Sequence, residues 1–275
     1  MDGARLSLTN AVISSARSMW YRATEPVKLR YGRFVNGDYD LDGFFWNDPN
    51  PRISVIIPTF NRIGLLTERC MPSVFAQTHR NLEVLVCAHG CTDGTNELWR
   101  SGVVRVIEVP RVRTYPPTPE NHWFAGPVAP INAGLFAAKG QWIARIDDDD
   151  TWTPTHIADL LKFAIEGDFE FVSAAHETDK GRVAPYLVDG IPIGGVQTWL
   201  YRSYLKTFRA NPDCWRKKWN RVNDTDLQER FVSAGVRMGY LDKVVAHVLP
   251  RPGETEIGLR AYKSNNEITA KYAFR

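Results

Sequence analysis

The 275-residue chain lacks the features that would place it across a membrane or in the secretory pathway. No run approaches 18 consecutive apolar residues, so no transmembrane helix is predicted. The first residues hold no continuous apolar core of the signal-peptide kind, because serine and threonine interrupt it. Cysteine is scarce: the four residues form no C-x-x-C pair, which disfavours a zinc site and is typical of free thiols in a reducing compartment. These absences predict a cytoplasmic protein.

A strong charge of one sign is also missing. Lysine and arginine number 34 against 31 acids, which gives a net charge of +3. Nucleic-acid-binding proteins usually carry a clustered basic face, so no nucleic-acid partner is predicted. With 44% hydrophobic and 24% charged residues, the composition is that of an ordinary globular protein of one large or two small domains.

The N-terminal 50 residues differ in pattern from the rest of the chain. Leu8, Val12, Ala16, Met19 and Trp20 fall on one helical face and predict a short amphipathic helix. We favour packing of this face on the body of the protein or on another subunit, and so allow a homo-oligomer. A peripheral contact with the inner face of a membrane would need a richer basic face and is the alternative. A stretch rich in Gly, Asp, Asn and Pro then predicts a linker.

The next 60 residues alternate between strand and helix signals. Strands are predicted at 53–57, 82–87 and 103–109, with helical segments at 65–75 and 92–99. This alternation predicts a parallel sheet with right-handed crossovers. Ligands of such sheets bind beyond the carboxyl ends of the strands. The loops after these strands are therefore expected to converge on one crevice.

The most unusual stretch is an apolar run, 141–146, that leads directly into four consecutive carboxylates, Asp147 to Asp150. Four adjacent acids repel one another, and a solvated acidic loop is the plain interpretation. A divalent cation held by one or two carboxylates and by phosphate oxygens is the alternative. The position at the end of a parallel strand favours the ligand site.

The remaining pattern is weaker. Five prolines between 111 and 130 predict an irregular loop. Helices are then predicted at 131–139, at 153–164 with Thr153 as the cap, and at 223–233, and strands at 169–174, 236–241 and 243–248. Residues 181–192 show little pattern.

The order of several short motifs resembles family 2 glycosyltransferases of the GT-A fold. The resemblance covers residues 53–165 and continues more weakly at 223–235. The motifs are VIIPTFNR at 55–62, CTDGT at 91–95, NAG at 132–134, AKG at 138–140, DDDDTWTP at 147–154 and NDTDL at 223–227.

The resemblance implies an α/β fold of the GT-A type, with a Rossmann-like, mostly parallel central sheet flanked by helices and an N-terminal helical arm on a single domain. It implies an arm and linker at 1–50, a nucleotide-sugar-binding half at 51–165, an acceptor-binding half at 166–250 and a tail at 251–275. It also implies a metal-dependent, inverting sugar transfer from a nucleotide-diphospho-sugar, with Mn²⁺ or Mg²⁺ as cofactor. The acceptor is left open among saccharide, glycolipid and protein.

The same resemblance implies the site residues. Asp149 is the first choice for the metal ligand, Asp147 the second, and His247 a further candidate near the last strand. Asp224, at the start of a helix, is the candidate catalytic base, with helix capping as its plain alternative. The residues expected to contact the donor are Pro58, Thr59, Asn61, Arg62, His89, Asn132, Asp147 and Asp148.

The sequence departs from the family pattern at two points. His89 stands where an acid usually reads the base, so a UDP-sugar is the default donor while guanosine and thymidine stay open. Ile131 stands where an arginine often precedes Asn132, so a cation is expected from Arg62, Arg111 or Arg113. A non-catalytic nucleotide-sugar-binding module of the same fold is the alternative function. A nucleotidyltransferase ranks last, because the loop after the first strand is not glycine-rich.

Overall fold

Short apolar runs form the parallel centre of a large mixed sheet. The computed structural model describes residues 2–38, 48–111, 118–216 and 223–264. The strands are β1 (Ile53–Thr59), β2 (Leu82–His89), β3 (Arg105–Val109), β4 (Trp142–Arg145), β5 (Thr151–Trp152), β6 (Phe171–Thr178), β7 (Gly181–Val183), β8 (Tyr186–Val188), β9 (Ile191–Ile193), β10 (Leu200–Arg202) and β11 (Met238–Val248).

Helices flank this sheet and precede it. They are α1 (Asp2–Arg33), α2 (Ile63–Leu65), α3 (Met71–Phe75), α4 (Pro119–Ala125), α5 (Val128–Ala137), α6 (His156–Glu166), α7 (Asn223–Ala234) and α8 (Gly258–Ser264). A π-helical turn, Leu66–Cys70, joins α2 to α3, and a second, Phe34–Asp38, comes after α1. Short 3₁₀ helices lie at Thr95–Ser101, Val196–Thr198, Ser203–Thr207 and Cys214–Arg216.

The strand order confirms the predicted fold class. It runs β3-β2-β1-β4-β10-β6-β11-β5, with β7 beside β6 and a separate β8-β9 hairpin. Neighbours among β1 to β4 pair in parallel, as do β6 and β11, whereas β10 runs antiparallel between β4 and β6. The carboxyl ends of β1, β2 and β4 therefore meet at one edge, which is where the acidic stretch begins.

Alternating side chains of the central strands enter two cores, one on each face of the sheet. Ile56 packs with Ile131 and Leu135 of α5, and Ile57 packs on the other face with Leu66 and Ile157. Gly134 of α5 permits this approach, since a Cβ there would lie 2.6 Å from Ile56 Cγ2. The sheet is thus buried on both sides, as its apolar runs predicted.

The predicted irregular loop at 111–130 is wrong for much of its length. Helix α4 begins at Pro119, and the Thr118 hydroxyl accepts a hydrogen bond from the Asn121 amide at 3.2 Å. Proline is compatible with the first helical turn, where its missing N–H leaves no bond unmade. Pro127 and Pro130 occupy the start of α5 in the same way, so this helix begins at Val128 rather than at 131. Arg113 lies outside the described residues.

Three further boundaries differ from the predictions. Helix α6 begins at His156 and has no side-chain cap from Thr153. The strands predicted at 236–241 and 243–248 are one strand, β11, interrupted by bulges. Residues 181–192, which showed little pattern, contribute to β7, β8 and β9, whose short strands carry too few residues to display a period.

Helix α1 is longer than predicted, and its apolar face does not pack on the body. Leu8, Val12, Met19 and Trp20 are 61–68% exposed, so the prediction that they pack on the body is wrong. Packing on another subunit stays a prediction. Within the described residues, no helix is long and apolar enough to cross a bilayer.

His156 fixes the segment that comes after the acidic stretch. Its ring stacks on Trp152 with centroids 4.1 Å apart, and its Nδ1 donates to the Val245 carbonyl at 3.0 Å. Burial lowers the pKa of His156 to about 3. The folded protein therefore keeps this ring neutral, while the unfolded chain protonates it below about pH 6.5.

We expect this histidine to weaken the fold in acid. Between pH 6.5 and about 3 the unfolded state binds one more proton, so the free energy of unfolding should fall by about 1.4 kcal/mol per pH unit on account of this group. The His156→Phe variant keeps a ring to stack and removes the titration. Urea unfolding of both proteins at pH 7, 6 and 5 should show their difference shrinking as the pH falls. A difference that stays constant would contradict the assignment.

Candidate active site

The four carboxylates form a tight turn beside the end of β1. The Ile146 amide donates to the Ile56 carbonyl at 3.3 Å, and the Asp150 amide donates to the Asp147 carbonyl at 3.2 Å. Asp148 and Asp150 are buried, and Asp147 and Asp149 are only partly accessible. The turn is therefore not a solvated loop, and its charges need partners within the protein.

Asp148 receives its partners from the loop after β1. The Thr59 hydroxyl donates to it at 2.7 Å, and Arg62 Nη1 donates at 2.9 Å. The same guanidinium contacts the Tyr262 hydroxyl at 3.3 Å. Two residues predicted to bind the donor, Thr59 and Arg62, are thus brought directly against the acidic turn.

Asp149 is paired with two arginines that are far apart in the sequence. Arg251 Nε donates to Asp149 Oδ2 at 2.6 Å, and Arg62 Nη1 lies 3.6 Å from the same oxygen. Burial opposes the ionisation of Asp149, but these two guanidinium groups outweigh it and lower its pKa. Arg251 was not predicted as a site residue, because it comes after β11 in a segment that reads as a polar tail.

Asp147 is balanced less strongly than Asp148 and Asp149. Burial, and then the neighbouring Asp149 carboxylate, raise the pKa of Asp147 to about 7. Arg145 is the compensating charge, and Asp224 adds further negative potential. Of the acids that face the cleft, Asp147 is therefore the one whose charge is least balanced.

Arg145, the last residue of β4, is a site residue that sequence reasoning missed. It is 3% exposed, and its Nε and Nη1 have no hydrogen-bond partner among the described residues. It lines the same cleft as Asp147 and Asp224, and it counters the negative charge of both. The available signal was a charged residue inside an otherwise apolar buried strand.

Asp224 reaches the cleft from the first turn of α7. Asn223 beside it is buried and donates to the Phe124 carbonyl at 3.2 Å, which fixes this end of the helix against α4. The Asp224 carboxylate accepts from the Thr225 amide at 2.9 Å, one residue on, rather than from the amides two or three residues on that a capping side chain would satisfy. Burial raises the pKa of Asp224, and Arg145 opposes this shift.

Aromatic rings, an imidazole and a further arginine also line the cleft. His89, at the end of β2, is buried, and this burial, together with Arg111, lowers its pKa to about 4. The Arg111 guanidinium lies 3.9 Å from the centroid of the Phe60 ring. Pro58 and Trp123 line the same cleft. Together these side chains present flat surfaces and a neutral imidazole.

Three of the residues expected at the site lie elsewhere. Asn61, in the left-handed conformation (φ 50°), accepts from the Thr92 amide at 2.7 Å and joins two loops. Asn132 bonds the Ala210 backbone in both directions, at 2.9 and 3.0 Å. His247 Nδ1 lies 3.8 Å from Glu177 Oε2 on the neighbouring strand. None of the three is among the described residues that line the cleft.

Comparison with known proteins then decides the family. A family description, "Glycosyl transferase family 2", matches residues 54–218, which include β1, the acidic turn and Arg145. The chain belongs to glycosyltransferase family 2.

Individual relatives are distant and longer. An uncharacterized glycosyltransferase of Rickettsia felis is 33% identical over 147 residues, which cover 53% of this chain and 23% of that protein. The chain spans less than half the length of the curated relatives that it matches.

Two solved structures share the fold. Staphylococcus aureus TarS 1–349 in complex with UDP-GlcNAc has a TM-score of 0.53 at 20% identity and covers 78% of this chain and 61% of its own. The mannosyltransferase PcManGT from Pyrobaculum calidifontis, in complex with GDP-Man and Mn²⁺, has a TM-score of 0.54 at 18% identity and covers 90% and 70%. At these identities the likeness shows the GT-A fold alone.

Proposed function

We propose that the protein transfers a sugar, with inversion, from a nucleotide-diphospho-sugar to an acceptor hydroxyl. One observation carries this: a single cleft joins the acidic turn and its arginines to Asp224, which arrives from a different part of the chain. A protein that only binds a nucleotide-sugar needs the acidic turn and its arginines but not Asp224. A transferase also needs a base on the acceptor side.

The aromatic side chains of the cleft suit the donor base. The neutral His89 imidazole can both donate and accept a hydrogen bond, and Phe60 and Arg111 offer surfaces for stacking. A UDP-sugar is the first choice, and a GDP-sugar the second. TarS and PcManGT, which share the fold, were solved with one of each.

The acidic turn suits the diphosphate and a divalent cation. No ready-made group of three or more His, Cys, Asp or Glu ligands occurs in the described part of the chain. A Mg²⁺- or Mn²⁺-diphosphate needs only one or two carboxylates, and carboxylate oxygen is the donor type that these ions prefer. Asp149, with Asp147 as the second ligand, would hold the ion, which would supply positive charge to the departing diphosphate.

Arg251 competes for the same carboxylate. Its guanidinium bonds Asp149 Oδ2 at 2.6 Å, so a cation on this carboxylate would weaken the ion pair. Once released, Arg251 is placed to pair with a phosphate oxygen, as Arg62 is from the other side.

A thermal-shift screen of nucleotide sugars, with and without Mn²⁺, tests the proposal. A donor that binds the folded state should raise the melting temperature, and more so with Mn²⁺. Asp149→Asn should abolish the increment due to Mn²⁺, and Arg251→Gln should increase the shift by Mn²⁺ alone, because the competing cation is gone. Asp242→Asn, at a carboxylate whose side chain is 77% exposed and outside the cleft, is the control. No shift with any donor would count against the function, and an Mn²⁺ increment that survives in Asp149→Asn would exclude Asp149 as the ligand.

Asp224 is the proposed base. Its carboxylate takes the proton of the acceptor hydroxyl while that oxygen attacks the anomeric carbon, and the electron pair of the broken bond leaves with the diphosphate. We expect Asp224→Asn to lower kcat by about 10²- to 10⁴-fold and to leave donor binding unchanged. Single-turnover transfer and donor calorimetry on the same variant check this. Unchanged turnover would remove Asp224 from the mechanism, and a wild type that binds donor but never transfers it would favour a non-catalytic module.

Arg145 favours the ionised form of this base. Loss of its charge should raise the pKa of Asp224, because burial would then act without the opposing guanidinium. In Arg145→Gln, the pH below which kcat falls should therefore move upward, and Arg145→Lys should restore part of the profile. Asp147, the other acid that Arg145 balances, is monitored through Mn²⁺-dependent donor binding in the same variants. If kcat falls by the same factor at every pH and the pH dependence does not shift, Arg145 has a structural role only.

The division of labour along the chain is part of the proposal. Residues 51–165 bind the donor with help from Arg251 of the tail, 251–275, and residues 166–250 receive a saccharide, glycolipid or protein acceptor, with 1–50 as an accessory segment. All four cysteines are free thiols, which agrees with the proposed location in the reducing cytoplasm.

A further inference from the structure

Helix α1 turns its polar side toward the body of the protein. Arg17 forms a salt bridge with Asp213 at 2.6 Å, and Arg33 forms one with Glu170 at 2.6 Å. Glu25, which is buried, pairs with the equally buried Arg230. Leu29 is the one fully buried large apolar side chain on the described part of this helix. The helix is therefore attached mainly by ion pairs.

Its opposite side is largely apolar and exposed. Seven large apolar side chains on α1 and the turn after it are 52–68% exposed: Leu8, Val12, Met19, Trp20, Val27, Tyr31 and Phe34. At 100° per residue they fall within an arc of about 140°, centred opposite Glu25 and Gly32, both of which are buried. An apolar stripe of this length on a protein surface marks an interaction site.

The basic residues within and beside the stripe select its partner. Arg22, Lys28 and Arg30 lie on the accessible part of the helix, whereas Glu25 is the only carboxylate among the described side chains of residues 8–36 and faces inward. A second copy packed on this face would bring arginine near arginine without an acid to balance it. An anionic lipid surface offers both an apolar layer for the stripe and negative headgroups for the basic residues.

We propose that the outer face of α1 lies in the headgroup region of an anionic membrane. A helix of 32 residues extends about 48 Å along that surface, at 1.5 Å per residue. The stripe is rich in the aromatic and aliphatic residues of interfacial helices, with Trp20, Tyr31 and Phe34 among its members.

The wide cleft on the acceptor side opens next to this face. Arg22 of α1 lines that cleft together with Asp224 and with Tyr186 and Leu187, which are exposed on the β8-β9 hairpin. A bilayer against α1 would thus bring the hydroxyl of a lipid-borne acceptor to the base. This assignment of the acceptor class rests on the proposed function, whereas the membrane contact does not.

Vesicle flotation tests the contact. The full chain is mixed with vesicles of phosphatidylcholine alone or of phosphatidylcholine with phosphatidylglycerol, and should float only with the anionic ones. Val12→Gln combined with Trp20→Gln and Val27→Gln should reduce the floated fraction at least tenfold, and Lys28→Gln with Arg30→Gln should remove the preference for anionic lipid. Phe136→Gln, at a side chain that is 81% exposed on α5, is the matched control and should float like the wild type.

Each other result overturns the proposal. Absence of wild-type flotation with both vesicles excludes the contact, and flotation that survives the triple substitution places it elsewhere. A wild-type dimer in light scattering that the triple variant dissociates, without flotation, would make the stripe an interface between copies. Every substituted residue is accessible, so the variants should keep the wild-type melting temperature. Their unchanged thermal shift with donor separates failure of the membrane contact from failure of the proposed function.

Discussion

Four consecutive carboxylates at the edge of a buried sheet impose one requirement on the rest of the molecule: each must be paired with positive charge or held neutral, and burial and the neighbouring acids raise the pKa of Asp150 well above its usual range. Carboxylates held away from water are costly unless they are paired and hydrogen-bonded. Arg62 and Arg251 meet that requirement for Asp148 and Asp149. Arg251 lies 102 residues beyond its partner, so the acidic turn fastens the segment after β11 to the end of β1 and closes the cleft on that side.

The ion pairs of Arg62 and Arg251 also indicate how a cation and a diphosphate could enter the site. In the proposed function, each arginine that balances an acid would also serve as a phosphate ligand, for which a guanidinium has suitable geometry. A cation on Asp149 would compete with Arg251 for this carboxylate, and the weakened pair would leave Arg251 available to a diphosphate that needs positive charge. Arg145 is a third positive charge, and it lines the same cleft as Asp224. Two of its N–H donor groups have no hydrogen-bond partner among the described residues.

Local pattern was enough for the sheet but not for the site. The apolar runs located β1, β2 and β4, and the motif order indicated the fold and the acidic turn. Arg145 was missed because a strand pattern predicts which residues are buried. It does not predict whether a buried charged residue serves a functional site. Arg251 was missed because its partner is remote in sequence. Helix α4 was missed because prolines were taken to exclude helix, although Pro119 lies at the first position. Asn61 and Asn132 show the reverse error, since polar residues in a motif can serve the backbone.

In helix α1, residue periodicity predicted the apolar face correctly but not the direction in which that face points. Residue spacing fixes which side chains share a face, but the direction of that face depends on what the body offers. Here the body offers Asp213, Glu170 and Arg230, and ion pairs to them orient the helix with its polar side inward. Such pairs give little net stability when they are exposed, and buried ones repay desolvation poorly. An attachment of this kind, with seven large apolar side chains left outside, is hard to explain by the stability of an isolated chain. It is readily explained if the apolar face is buried in a membrane surface. The helix would then place that surface beside the cleft that contains Asp224.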